Sequence, residues 1–373
     1  METDEVIEIK VINDSSEYPS YCVVIFQNIL KPLIFIFLIY IIFLKKTKGI
    51  KAIYNDRDYK INIHLSNIID DKYIYPFLVY LTSLLDKRAN STFYTIHLLT
   101  NNNLTEKSKT KINKIINKFG NNSVKLIYYN LEDYFKNSTT LYLRAAVYYK
   151  LALPSLLPDI DKIIYIDGDI INLEDLTEMY NIELKENIYF GGVIDYIEHL
   201  DELKEFGISS DKYINAGVLL INLKALRENS IEKKLNDFVS SHNLKFLEQT
   251  AINCVCYNNI QVLPYKYNVF AFPKFDEFIK FNEEQNMKYR INVSELNKTF
   301  NEPTLFHYVN LEKPWSKLGA KPNKAYWWYY AKMSGFYREI IYFYKFKLHR
   351  IRRLLRSIGK DGGLLRRNFK KII

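Results

Sequence analysis

Downstream of about residue 59, short apolar runs alternate with segments whose apolar positions recur at helical spacing. Length and β-branched or aromatic content assign strands to residues 60–65, 93–99, 124–129, 162–166, 188–194 and 218–222. Helical periodicity is clearest over residues 75–85 and 106–119. Strands that alternate with helices predict an α/β layered fold with a mostly parallel central sheet. Such sheets bind ligands beyond the carboxyl ends of their strands. No internal repeat is visible.

The chain ahead of this region has a different pattern. Residues 1–20 carry six Asp or Glu against Lys10 and form an acidic tail. Residues 21–44 are strongly apolar, interrupted by Gln27, Asn28, Lys31 and Pro32. The uninterrupted part, residues 33–44, gives about 18 Å of helix, short of a bilayer core of roughly 30 Å. The full stretch is long enough but places a Lys-Pro pair inside the span. A spanning helix, a re-entrant or interfacial segment and a buried core helix all remain open. The acidic lead and the lack of a small-residue cleavage site argue against a signal peptide. Lys45, Lys46, Lys48 and Lys51 follow. If the segment spans, they put this end and everything after it on the cytoplasmic side.

Composition narrows the class. With 48% hydrophobic and 25% charged residues, and only 12 Gly and 10 Pro in 373, the chain as a whole is neither disordered nor low in complexity. Three cysteines, two of them a Cys254-x-Cys256 pair, do not make a zinc or disulfide framework; they read as thiols in a reducing compartment. The net charge of +10 invites a nucleic-acid reading, but its location removes it. From Arg338 onward, 12 Lys or Arg stand against Glu339 and Asp361, so the chain before Arg338 is balanced and no nucleic-acid motif appears in it. Within this tail Leu348, Ile351, Leu354, Leu355 and Ile358 fall at helical spacing among basic residues. The pattern fits a basic amphipathic helix lying on an anionic membrane surface. A solvated terminal helix is the plainer alternative.

Four segments carry candidate chemistry. The apolar run Ile163–Ile166 leads into Asp167-Gly168-Asp169. On extended backbone, residues i and i+2 point the same way, so both carboxylates are expected to face one ligand. Gly168 would permit a sharp turn and leave room for approach. Two hard oxygen donors at a strand end suit Mg²⁺ or Mn²⁺, although a plain Asp-Gly turn has the same letters. Further on, His307 follows an apolar run, and Lys313 precedes Pro314-Trp315. A neutral imidazole can complete a carboxylate metal site, and an ammonium can neutralise a departing phosphate. Asn215-Ala216-Gly217 is expected just before a buried strand, where small residues let a bulky ligand approach the backbone. Glu248-Gln249 opens an otherwise apolar helix.

In order and spacing, these segments resemble the retaining family 8 glycosyltransferases over roughly residues 60–330. That resemblance implies a GT-A nucleotide-sugar-binding fold and a UDP-sugar donor with Mn²⁺ or Mg²⁺. It implies that Asp167, Asp169 and His307 ligate the metal and that Lys313 contacts the donor diphosphate. It places Asn215 and Ala216 beside the transferred sugar and Gln249 near its reacting carbon, with Asp195 a sugar contact and Glu248 where Asp is usual. Asp70 and Tyr73 match the uridine-binding turn, with Ile68 and Ile69 as extra residues. Lys150 stands where the family usually has Arg, which loses a bidentate fork.

The expected activity is transfer of a hexose, glucose or galactose, to a glycan or glycolipid, with retention, in surface polysaccharide or lipopolysaccharide synthesis at the cytoplasmic membrane face. An inverting GT-A transferase, with Asp195 or Glu248 as base, is one alternative. A catalytically impaired nucleotide-sugar scaffold is the other. The corresponding domain plan is an acidic tail (1–20), an apolar membrane segment with basic flank (21–51), a GT-A domain (58–330) and a basic tail (331–373).

Overall fold

The computed structural model describes residues 61–101, 104–119, 123–132, 145–195, 204–209, 212–271, 298–299, 301–309, 313–316 and 324–344. The apolar segment 21–44 and most of the basic tail, from residue 345 onward, lie outside these residues. So do the amino-terminal and carboxyl-terminal helices expected there.

Five strands and two helices build the first half. They are β1 (Ile61–Ile69), α1 (Ile74–Lys87), β2 (Thr92–Thr100), α2 (Glu106–Phe119), β3 (Val124–Asn130), β4 (Lys162–Ile166) and β5 (Ile170–Asn172). The second half contains β6 (Phe190–Ile194), β7 (Ile214–Asn222), α3 (Ile231–Ser241), α4 (Leu247–Val255), β8 (Ile260–Val262), β9 (Val269–Phe270), β10 (Leu305–His307) and α5 (Ala325–Met333). Short helical turns at Ala145–Tyr148, Tyr149–Ala152 and Leu153–Leu156 lead into β4.

Seven strands form one sheet in the order β3-β2-β1-β4-β7-β6-β8. The pairings are parallel except where β7 meets β4 and β6. The sheet is therefore mostly parallel with one reversed strand. β5, β10 and β9 make a second, three-stranded sheet.

Burial patterns explain why these residues form these elements. In the central strands β4 and β7, alternate residues enter opposite cores. Ile164, Ile166, Val218 and Leu220 pack with α1, whereas Ile163, Tyr165, Leu219 and Ile221 pack with α3 and α4. Two-sided burial produces the continuous apolar runs seen in the sequence. α2 buries Ser108, Lys111, Ile112, Ile115 and Ile116, one stripe at helical spacing. α1 is buried all along from Ile74 to Leu85, between the large sheet, α2 and α5. Its Ser83 hydroxyl accepts the Asn172 N–H at 3.0 Å, which ties the helix to the small sheet.

Two strands run longer than their sequence patterns. β1 continues through Ile68 and Ile69, so the extra residues lengthen the strand and Asp70 opens the turn at its end. β7 starts at Ile214, so Asn215-Ala216-Gly217 lies inside the strand and not before it. The pairing jumps there from Gly192 with Leu219 to Ile194 with Ile214. Residues 215–218 bulge opposite Val193, and that irregularity tolerates side chains with weak strand preference.

The carboxyl-terminal residues 331–344 pack onto this core. Ala331 and Ile340 are fully buried, Lys111 donates to Tyr75 and Glu339, and Phe343 lies against the Tyr75 ring at 5.1 Å. Among the described residues no helix is long and apolar enough to cross a membrane.

Leu220→Ala would open a cavity at a fully buried position of the central reversed strand. Urea denaturation is expected to show a loss of about 2–5 kcal/mol.

Candidate active site

The turn between β4 and β5 carries Asp167-Gly168-Asp169 at the carboxyl end of β4. Both carboxylates lie just past the end of β4 at Ile166, in the turn that leads to β5. They converge because the turn folds back and a strand from the small sheet meets it. β10 runs antiparallel to β5, and its last residue, His307, pairs with Ile170, the residue after Asp169. The Tyr308 N–H also donates to the Asp169 carbonyl at 3.1 Å. One ligating atom from each of Asp167, Asp169 and His307 lies within 4.8 Å of the others.

Each member is held by a distinct partner. Asp167 Oδ1 accepts the Tyr165 hydroxyl at 2.6 Å. Asp169 Oδ1 stands 3.3 Å from His307 Nε2, and its Oδ2 accepts Lys313 Nζ at 2.5 Å. Burial alone would raise the Asp169 carboxyl, but His307 and Lys313 beside it hold it well below the ordinary carboxylate range. His307 Nδ1 meets Asn268 Oδ1 at 2.9 Å.

The glycines behave differently from each other. Gly168 has no left-handed backbone, and a Cβ on it would meet only the Tyr73 ring at 3.4 Å. Gly217 is the stringent one. A Cβ there would strike His307 Cε1 and lie 2.9 Å from Asp167 Oδ2. The β7 bulge reaches this position by pairing the Gly217 carbonyl with the Asp167 N–H at 2.8 Å. Asn-Ala-Gly therefore makes room for the acidic turn and its histidine, a role beyond the ligand approach expected from small residues.

A cleft of about 310 Å³ opens in front of the turn. Its lining includes Asp70, Tyr73, Lys150, Asp167, Asp169 and Glu248, with Gly168 between the two carboxylates. Asp70, and not Asp71, belongs to this lining; Asp71 instead accepts the Thr105 N–H at 3.0 Å. Asp70 Oδ1 accepts the Tyr73 N–H at 2.9 Å, which orients the Tyr73 ring edge-on to Trp315.

Lys150 is nearly fully buried and donates to Glu248 Oε1 and to the Ala216 carbonyl, each at 3.0 Å. Its Nζ also lies 3.9 Å from Asp167 Oδ1 and 4.2 Å from the Tyr165 ring centroid. Burial works against the charge, but Glu248 and Asp167 more than offset it and raise the Lys150 ammonium above the usual lysine range. Compared with the expected Arg and Asp, the cation is shorter and the anion longer, and the pair still closes.

Asp195, just after β6, forms a second polar cluster with Asn215 and Ala216 on β7 and Gln249 on α4. Asn215 Nδ2 and Gln249 Nε2 donate to Asp195 Oδ2 at 3.1 and 2.8 Å. Gln249 Oε1 accepts the Ala216 N–H at 3.0 Å and Asn215 Nδ2 at 3.2 Å. Leu247, at φ 54°, precedes Glu248 and Gln249; a left-handed leucine costs about 1–2 kcal/mol and sets the direction from which α4 presents them. Asn268 joins the two groups, since its Nδ2 donates to Asn215 Oδ1 at 3.0 Å. The sequence pattern passes over Asn268, and no local signal marks a buried asparagine after a helical turn as part of a site.

Comparison with known proteins decides the family. The model of glycosyl transferase family 8 matches residues 64–319. The chain belongs to family 8. It is therefore a glycosyltransferase. It is 22% identical over 282 residues to general stress protein A of Bacillus subtilis, covering 73% of this chain and 94% of that protein. It is 27% identical over 180 residues to an Escherichia coli lipopolysaccharide 1,2-glucosyltransferase, covering 46% of this chain and 49% of the relative. The chain thus spans about half the length of that curated relative. Among solved structures, galactosyltransferase LgtC in complex with donor and acceptor sugar analogs superposes with a TM-score of 0.59 at 20% identity, over 73% of this chain and 96% of LgtC. That likeness identifies the fold as the GT-A arrangement of this family.

The Lys150–Glu248 pair is a strong test of the site's electrostatics. Lys150→Met leaves a buried carboxylate unpaired and is expected to cost about 3–5 kcal/mol in urea denaturation at neutral pH. The loss should shrink in acid, where an unpaired Glu248 takes up a proton, and adding Glu248→Leu should restore most of it.

Proposed function

We propose that this family 8 enzyme transfers a hexose, glucose or galactose, from a UDP-sugar to a hydroxyl of a glycan or glycolipid, with retention at the anomeric carbon and with a divalent cation. The observation that carries the reading is the meeting of His307 with Asp167 and Asp169, two carboxylates that line a cleft together with Asp70 and Tyr73.

The residues fit a divalent cation. Two carboxylate oxygens and an imidazole nitrogen suit Mn²⁺, with Mg²⁺ accommodated by the carboxylates. The glycine at 217 leaves the space beside His307 and Asp167 that any Cβ would fill. Bound there, the cation would supply charge stabilisation for the departing diphosphate. Lys313 adds a second positive charge on the Asp169 side of the same corner. Asp70 and Tyr73 are positioned to receive the nucleoside, with Tyr73 offering a ring partly exposed to the cleft. Lys150 is committed to Glu248 and the Ala216 carbonyl, so it organises the wall under the donor. Asp195, Asn215, Ala216 and Gln249 would orient the sugar.

Hydrogen bonding favours retention over inversion. An inverting route needs a carboxylate free to take the acceptor proton, and Asp195 and Glu248 are the candidates. Asp195 already accepts from Asn215 and Gln249, and Glu248 is paired with Lys150. Gln249 Oε1, the one atom of that side chain able to attack carbon, is engaged by the Ala216 N–H and Asn215. Same-face attack by the acceptor, with the leaving phosphate assisting removal of its proton, agrees with all three. A scaffold without activity would not require the carboxylate–imidazole corner to be kept open by Gly217.

The lipopolysaccharide glucosyltransferase among the relatives supports an acceptor in surface polysaccharide or lipopolysaccharide synthesis. Residues 21–44 and the basic amphipathic tail support attachment to an anionic membrane at its cytoplasmic face, and the balanced body supports no nucleic-acid role.

Asp169→Asn is expected to abolish Mn²⁺-dependent hydrolysis of a UDP-glucose and UDP-galactose panel; undiminished turnover would remove the metal assignment. NMR of the transfer product should show the α anomer, and a β product would establish inversion. Truncation after Tyr344, which keeps the described residues 331–344 that pack onto the core, is expected to lower binding to vesicles containing phosphatidylglycerol in a sedimentation assay, with the folded transition unchanged.

A further inference from the structure

The polar atoms between the sugar-side cluster and the metal-binding corner form a directed chain, and its direction follows from one backbone group. The Gly217 N–H can only donate, and it lies 2.9 Å from Asn215 Oδ1. The Asn215 oxygen is thereby settled, with its NH₂ turned to Asp195. Asn268 approaches the same Asn215 oxygen at 3.0 Å, so it must offer its own NH₂ there. Its oxygen then faces His307 Nδ1 at 2.9 Å. An amide oxygen only accepts, so Nδ1 must carry a proton. Nε2, 3.3 Å from Asp169 Oδ1, is then the nitrogen whose lone pair a cation would take. Asn268 is fully buried, so bulk water has no access to take its place.

We infer that Asn268 is a positioning residue that holds His307 in the Nδ1–H tautomer, so that Nε2 is presented to the divalent cation. The inference rests on the metal reading of Asp167, Asp169 and His307 given above. It assigns to Asn268 the orienting role that metal-bound histidines draw from the partner of their other nitrogen. It also makes Asn215 the link between the sugar-side cluster and the cation, because the Asn215 oxygen bonds to both the Gly217 N–H and Asn268. Asp195 and Gln249 brace the Asn215 amide from the other side.

The test uses the full chain, with ¹⁵N-labelled histidine and the metal removed. A long-range ¹H–¹⁵N spectrum at pH 8.5, above the ordinary imidazole range, reports the tautomer directly. His307→Gln assigns the resonance. The wild-type protein is expected to show a proton on Nδ1; an Nδ1 without a proton overturns the inference without any variant. Asn268→Leu keeps the volume and removes the acceptor. Its His307 signal should lose the pure Nδ1–H pattern, and calorimetric titration with MnCl₂ should show affinity weakened by about tenfold or more. Unchanged Mn²⁺ affinity in a folded Asn268→Leu protein, judged by its thermal transition, also overturns it. If that variant does not fold, the wild-type spectrum decides alone. If the wild-type chain binds no Mn²⁺ at all, the metal reading fails, while the tautomer spectrum still tests the Asn268–His307 bond independently.

Discussion

The candidate site depends on the close approach of the β7 bulge to the turn between β4 and β5. Gly217 hands its carbonyl to the Asp167 N–H, and its missing side chain leaves the gap beside His307 and Asp167 Oδ2. The large sheet brings β7 alongside β4, and the small sheet brings His307 beside Ile170. Two separate sheets therefore converge on one corner, and a single methyl at residue 217 would displace the His307 and Asp167 side chains from it. Concentrating negative charge in a buried corner is costly unless it is compensated. Lys313 and His307 compensate Asp169, and Lys150 does so near Asp167 and for Glu248.

The consequence is a site with little slack. Backbone groups dictate the orientation of the amides in its wall. Gly217 N–H orients Asn215, Ala216 N–H orients Gln249, and the Ile214 N–H orients Asn253 through a 2.8 Å bond. β7 can supply the first two of these donors because its bulge takes residues 215–218 out of the regular ladder with β6. A regular strand would have spent the same N–H groups on its neighbour. The irregularity that lowers strand preference in Asn-Ala-Gly thus provides the donors that pre-organise the polar wall.

Much of this site is legible from residues alone. Asp167-Gly168-Asp169, His307 and Lys313 carry their chemistry in local spacing, and the structure gathers them into one corner. The strands of the central sheet are legible because two-sided burial leaves long apolar runs. Asn268 is not, since an asparagine after a helical turn has no local mark. Its place depends on His307 and Asn215, both remote in sequence. The purpose of Gly217 is hidden for the same reason. The two aspartates sit just past a strand end, and where a strand ends depends on what packs beyond it. Ile68 and Ile69 interrupt the uridine-binding pattern on paper, but the strand absorbs them and places Asp70 on the cleft.

By itself the sequence determined the α/β class, the mostly parallel sheet, the family resemblance and the concentration of positive charge at the carboxyl end. These follow from periodicity, composition and short motifs, all of which are local properties of a chain. The tertiary structure alone decided which glycine is indispensable, why the aspartates converge, how Lys150 and Glu248 remain paired, and which nitrogen of His307 is turned toward the carboxylates. Each of these is a distance between groups far apart along the chain, fixed by close packing and by the need to satisfy buried hydrogen bonds.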